Sequence, residues 1–156
     1  MSEHAETEPK NVGVSKTEES VPKLNPRVYG RTFAIDFDGT CVTHEFPRLG
    51  REIGASRVLR RIVEEGGSLI LWTMRSGKHL REAETWFKGH DIPLIGVQRN
   101  PTQDEWTDSP KCYAHVYIDD AALGCPLKPG QNEERPYVDW DAVEAALWPS
   151  ENVTTG

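Results

Sequence analysis

The chain has 156 residues, of which 37% are hydrophobic, and a formal net charge of −7. That length supports one domain with a sizeable core and leaves little room for a second. The negative balance argues against a protein that grips nucleic acid by bulk electrostatics, and no apolar run of about 18 residues or more is there to span a membrane. No charged start followed by an apolar stretch marks a secretory signal. Cys41, Cys112 and Cys125 are too widely and irregularly spaced for a disulfide framework or a zinc site, so a cytoplasmic location is expected.

Residues 1–29 are poor in apolar side chains and read as a disordered tail. Residues 30–149 form the expected folded domain, and 150–156 a short flexible C-terminus. The body carries most of the charge, with 20 acids against 14 bases. A first strand is expected over Thr32 to Asp36. A helix follows from Ser56 to Glu65, with Val58, Leu59, Ile62 and Val63 at helical spacing and Gly66-Gly67 to stop it. The nearly continuous apolar run from Ser68 to Thr73 suits a parallel strand buried on both faces. A second helix from about Lys78 to Lys88 has Ser76 to cap it and Gly89 to end it. Strands are expected at Leu94 to Gln98 and His115 to Asp119, and a last helix from about Asp139 to Leu147. This alternation predicts an α/β domain with a central parallel sheet and right-handed crossovers, whose ligands sit beyond the carboxyl ends of the strands.

Asp36, Thr73 and Asp119 fall at those strand ends. In an extended chain residues i and i+2 point the same way, so Asp36 and Asp38 can aim at one site, and Gly39 allows a sharp turn directly after them. Paired carboxylates there suit a hard cation and a phosphoryl group, and a carboxylate can itself act as nucleophile. Thr73 and the N–H groups of Met74 and Arg75 lie where phosphate oxygens could be held near the start of a helix.

Asp36-Phe-Asp-Gly-Thr40, Leu69-Ile-Leu-Trp-Thr73, Lys111 and Tyr117-Ile-Asp-Asp-Ala-Ala-Leu-Gly124 together resemble the four motifs of the haloacid dehalogenase (HAD) superfamily. The resemblance implies a three-layer α/β/α Rossmann-like fold and Mg²⁺-dependent hydrolysis of a phosphate monoester through an aspartyl-phosphate. It implies Asp36 as nucleophile, Asp38 as acid and base, and Thr73 and Lys111 as phosphate-holding catalytic groups. Mg²⁺ would be held by Asp36, the carbonyl of Asp38 and Asp119, with Asp120 in water-mediated contact. The segments Cys41–Ala55 and Arg99–Pro110 are too short to bury a core of their own, which is similar to the small capless bacterial and phage members.

An open site of this kind is expected to take a small phosphorylated substrate, or to be closed by a second subunit in a homo-oligomer. A nucleotide or polynucleotide end is the alternative substrate, and a non-catalytic phosphate-binding module the alternative of another class. Arg75 could reach a second anionic group, Trp106 could stack on a base or sugar, and His44 and Glu45 could touch substrate. Arg57, Arg60 and Arg61 form a basic cluster. The i,i+4 spacing of Arg60 with Glu64 and of Arg61 with Glu65 predicts a self-paired helix face there.

Overall fold

Four short apolar segments build the sheet. In the computed structural model, which describes residues 20–150 together with Lys10 and Gly13, these are β1 (Thr32–Ile35), β2 (Ser68–Leu71), β3 (Gly96–Val97) and β4 (Val116–Ile118). All pair in parallel in the order β3-β2-β1-β4, with Ile35 opposite Leu71 on one side and Ile118 on the other. The strands are buried because both faces are covered. Phe33, Ile35, Leu69 and Leu71 join one core cluster with the helices, while Ala34 and Ile70 alternate to the opposite face and are equally buried.

Helix α1 (Ala55–Glu64) and helix α2 (Gly77–Gly89) link β1 to β2 and β2 to β3. Both steps run the same way across the sheet, so right-handed crossovers put both helices on one face. The return from β3 to β4 passes back over β1 and therefore crosses the other face. It is irregular apart from one 3-10 turn at Gln103–Glu105. The fully buried Gln103 side chain organises it, donating to the carbonyls of Ser109 and Lys111 and accepting from Tyr113 N–H, each at 3.0 Å. The result is a Rossmann-like three-layer α/β architecture whose strand order reverses between β1 and β4.

The elements depart from expectation in local ways with local causes. Ser76 stands at the start of α2, but its side chain makes no capping bond. That helix runs through Gly89, and Asp91, with φ 56°, makes the left-handed turn after it. The third strand is only two residues long, since Pro93 precedes it and Gln98 turns left-handed at φ 62°. Two more short strands, β5 (Leu127–Lys128) and β6 (Tyr137–Val138), form an antiparallel pair before helix α3 (Trp140–Leu147). Asp139 caps α3 by accepting from the N–H groups of Asp141 and Ala142. On α1, Arg61 pairs with Glu65 as expected, but Arg60 donates to the His90 carbonyl and Arg57 reaches Glu144 and Asp141 of α3.

Most of the expected tail, and residues 151–156 of the C-terminal segment, lie outside the described residues. Val28, however, is fully buried in the core, and Asn25 Nδ2 donates to Leu147 O at 2.9 Å, so the folded body begins ahead of residue 30. No helix among the described residues is long and apolar enough to cross a membrane.

Helix α3 is tied to the loop after β1 by one buried bond. Trp140, 1% exposed, donates its indole N–H to Thr40 O at 2.6 Å. Trp140→Phe strands that carbonyl and leaves the space of the lost five-membered ring unfilled, and should lower the unfolding free energy by at least about 1–3 kcal/mol in urea titrations. An unchanged midpoint would show that the bond contributes nothing.

Candidate active site

The carboxyl ends of β1 and β4 point into one cavity of about 410 Å³, at the place where the strand order reverses. Asp36 ends β1, its N–H bonded to Ile118 O at 3.0 Å, and Asp119 and Asp120 follow β4 directly. Carboxylate oxygens of Asp36, Asp119 and Asp120 lie within 4.8 Å of one another. Thr40 ties the two strand ends together. Its hydroxyl donates to Asp36 Oδ2 at 2.9 Å and accepts from the N–H of Asp120 at 3.1 Å. Asp119 is oriented in turn by the N–H of Ala121, 2.8 Å from its Oδ1.

A tight turn makes this possible. The Phe37 carbonyl accepts from the N–H groups of Thr40, Cys41 and Val42, and Gly39 takes φ 80°. A Cβ at Gly39 would lie 1.9 Å from His44 Nε2, so glycine is required by space as well as by conformation. The space it leaves is filled by the His44 ring, whose Nε2 sits 2.9 Å from Asp120 Oδ2. Cys41 is fully buried with its thiol on Asp36 O, and burial pushes its pKa well up, which fits a filler and not a reactive thiol.

Asp38 faces the same cavity, but its carboxylate is held. Arg75, 2% exposed, donates Nε to Oδ2 and Nη2 to Oδ1, both at 2.7 Å. The same guanidinium donates to the carbonyls of Arg48 and Pro47 and stacks near the rings of Phe37 and Phe46. The expectation that Arg75 reaches for a substrate anion is therefore corrected: its donors are engaged in fixing Asp38 and the 46–48 loop. A lone arginine four residues past the end of β2 carries no sequence sign of this partner.

Thr73 lines the cavity and accepts from Arg75 N–H at 3.1 Å, which leaves its hydroxyl hydrogen for another acceptor. Met74 is 97% exposed at the rim. Sequence reasoning missed the residue that shapes this loop. Gln98 accepts from Thr73 N–H and donates to the carbonyls of Thr73 and Arg75, while its own N–H continues the sheet by bonding Leu71 O. Its left-handed φ lets side chain and backbone serve both ends, a conformation unusual outside glycine and invisible to periodicity.

Lys111 is not brought to the carboxylates. Its backbone is bound to Gln103 and Ser109, and its ammonium lies 5.7 Å from the Tyr117 ring centroid, in a separate cavity of about 350 Å³. Trp106 lines that second cavity too, edge-on to Tyr113. Arg135, which the sequence did not single out, lines the first.

Gathering three carboxylates in a partly desolvated corner raises the free energy of their charged forms. Burial is the main cause that lifts the Asp36 pKa from 3.8 to about 8, with Asp119 and Asp120 repelling its charge and the Thr40 and Phe37 bonds opposing the rise. The donor set is all carboxylate oxygen, which fits a hard divalent cation and offers nothing to a thiolate-seeking one.

No protein-family model and no curated protein matches the chain. Among solved structures, a conserved protein from Bacteroides thetaiotaomicron superposes with a TM-score of 0.62 at 31% sequence identity, over 76% of this chain and 89% of that one.

Between pH 3.8 and about 8 the folded protein holds a proton on Asp36 that the unfolded chain has released. In chelator, the resulting stabilisation is complete below the lower value and is lost as pH rises through the upper one. The melting temperature of the metal-free protein should therefore fall across that window. Asp36→Asn, which cannot ionise there, should show a flatter profile. Parallel profiles would contradict the burial of charge at Asp36.

Proposed function

The chain belongs to the same family as the conserved Bacteroides thetaiotaomicron protein, and on that premise we propose that it is a Mg²⁺-dependent phosphomonoesterase of the HAD type, acting on a small phosphate ester. The observation that carries this reading is the gathering of Asp36, Asp119 and Asp120 at the ends of two adjacent parallel strands, with Asp38 and Thr73 facing the same cavity.

Asp36 and Asp119 would hold Mg²⁺ through their carboxylates, together with the Asp38 carbonyl, and Asp120 would stand beside them. Bound there, the ion supplies charge neutralisation to a carboxylate and a phosphate that would otherwise repel. Cation binding also requires Asp36 to give up the proton that burial makes it keep.

Asp36 then attacks phosphorus in line. A P–O bond forms to its carboxylate as the bond to the ester oxygen breaks, giving an aspartyl-phosphate and a leaving alcohol. Thr73 donates its free hydroxyl hydrogen to a phosphoryl oxygen, with Gln98 and Arg75 N–H fixing that loop. Asp38, ionised beside Arg75, takes up a proton from solvent and passes it to the leaving oxygen, then takes one from the water that hydrolyses the intermediate. Arg75 holds one lone pair on each Asp38 oxygen, so each keeps another for that exchange. Phe46, 59% exposed on the cavity wall, and Met74 at the rim give the leaving group an apolar surface.

A small substrate is favoured over a polynucleotide end because the cluster of arginines on α1 is already engaged. Arg57 and Arg61 pair with Glu144, and Arg60 caps the end of α2. A passive phosphate-binding module would have no use for an Asp38 held in place by a buried arginine.

Purified protein should hydrolyse an aryl phosphate ester with Mg²⁺ and stop when the ion is chelated. Asp36→Asn should bring turnover to background, and Asp38→Asn should lower kcat by about 10²–10⁴-fold. Absence of Mg²⁺-dependent turnover across a broad panel of phosphate monoesters would sink the enzymatic reading.

A further inference from the structure

The cavity of the carboxylates is short of positive charge. Four acids face it: Asp36, Asp38, Asp119 and Asp120. Arg75 answers Asp38, and a divalent cation would answer two more, which still leaves the cavity negative before a dianionic ester arrives. Lys111, the group expected to make up the difference, stands in the neighbouring aromatic cavity.

Arg135 lines the carboxylate cavity, and among the described residues its guanidinium meets no carboxylate, carbonyl or ring. An arginine free of partners beside four acids is held there by its backbone. The chain before it is anchored through Glu134, whose carboxylate takes Arg51 Nη2 at 3.2 Å and Gln131 N–H at 3.0 Å. After it comes Pro136, then β6, where Val138 N–H donates to Gly39 O at 3.0 Å, one residue beyond Asp38. Both flanks of Arg135 are thus fastened to the segments that surround the proposed nucleophile, and only its side chain is left free.

We infer that Arg135 is the substrate-binding cation of this site: its guanidinium takes the phosphoryl oxygens of the incoming monoester. The planar fork matches two oxygens of a phosphate at once, which an ammonium does not. The β5–β6 connection thereby does more than decorate the domain, since it delivers the charge that admits the substrate. This assignment rests on the phosphomonoesterase reading for the identity of the anion, though not for the position of the arginine.

Phosphate binding separates the two. Inorganic phosphate is titrated calorimetrically in the presence of Mg²⁺ into the full chain, Arg135→Ala, Arg135→Lys and Lys111→Ala, and KM and kcat for an aryl phosphate ester are measured alongside. Arg135→Ala should weaken phosphate binding and raise KM by about ten- to hundredfold, with an unchanged melting temperature. Arg135→Lys should recover part of the loss, as a point charge replacing a fork. Phosphate binding that depends on Arg135 in a protein without turnover would uphold the assignment while the enzymatic reading failed. Normal turnover with phosphate affinity and KM unaltered in Arg135→Ala would overturn the assignment alone, as would a loss confined to Lys111→Ala. A parent chain that binds no phosphate would overturn it as well.

Discussion

Carboxylates that are forced together repel, and a fold that brings three of them within 4.8 Å has to hold them there against that repulsion. Here the force comes from the sheet. β1 and β4 are adjacent, in register and parallel, so the residues that leave their carboxyl ends have one place to go. Thr40 closes the gap by bonding Asp36 on one strand and the Asp120 backbone on the other. Trp140 holds the Thr40 carbonyl from behind, and Val138 holds Gly39. The last helix and the β5–β6 pair, remote in sequence, are thereby fastened to the loop after β1. Burial makes Asp36 the proton holder of the cluster, its pKa pushed up to about 8.

A second layer of residues positions the groups that line the cavity. Arg75 is buried and pairs with the half-buried Asp38, without which its charge would be costly, and it also ties the 46–48 loop to the site. Gln98 does the corresponding work for the Thr73 loop through three bonds from one amide. Gly39 makes room for His44 against Asp120. Each of these residues acts by fixing a neighbour.

The sequence was most legible where one residue type had one job. The apolar runs Phe33–Ile35 and Ser68–Leu71 read as buried strands, and Asp36 and Asp38, two residues apart at the end of the first, read as aimed at one site. The α/β order and the acidic cluster were both visible for that reason. Less legible were features that depend on where distant segments meet. Lys111 stands in the expected place in the chain, yet Gln103 binds its backbone and directs it to the Tyr117 side of the sheet. Arg75 looked like a free cation because Asp38, its partner, is 37 residues away. The β5–β6 pair has two residues in each strand, too few for alternation to register, and so no element is expected from the sequence around Arg135.

Asp36, supported by this cluster, is proposed to carry the phosphoryl group during turnover and not merely to bind a metal. Rapid acid quenching of the protein during turnover of an aryl phosphate with Mg²⁺, followed by peptide mass mapping, tests it directly. One phosphoryl group is expected on the peptide that contains Asp36, absent from Asp36→Asn. A quenched enzyme that turns over substrate yet carries no phosphoryl group, or carries it on another residue, would contradict it.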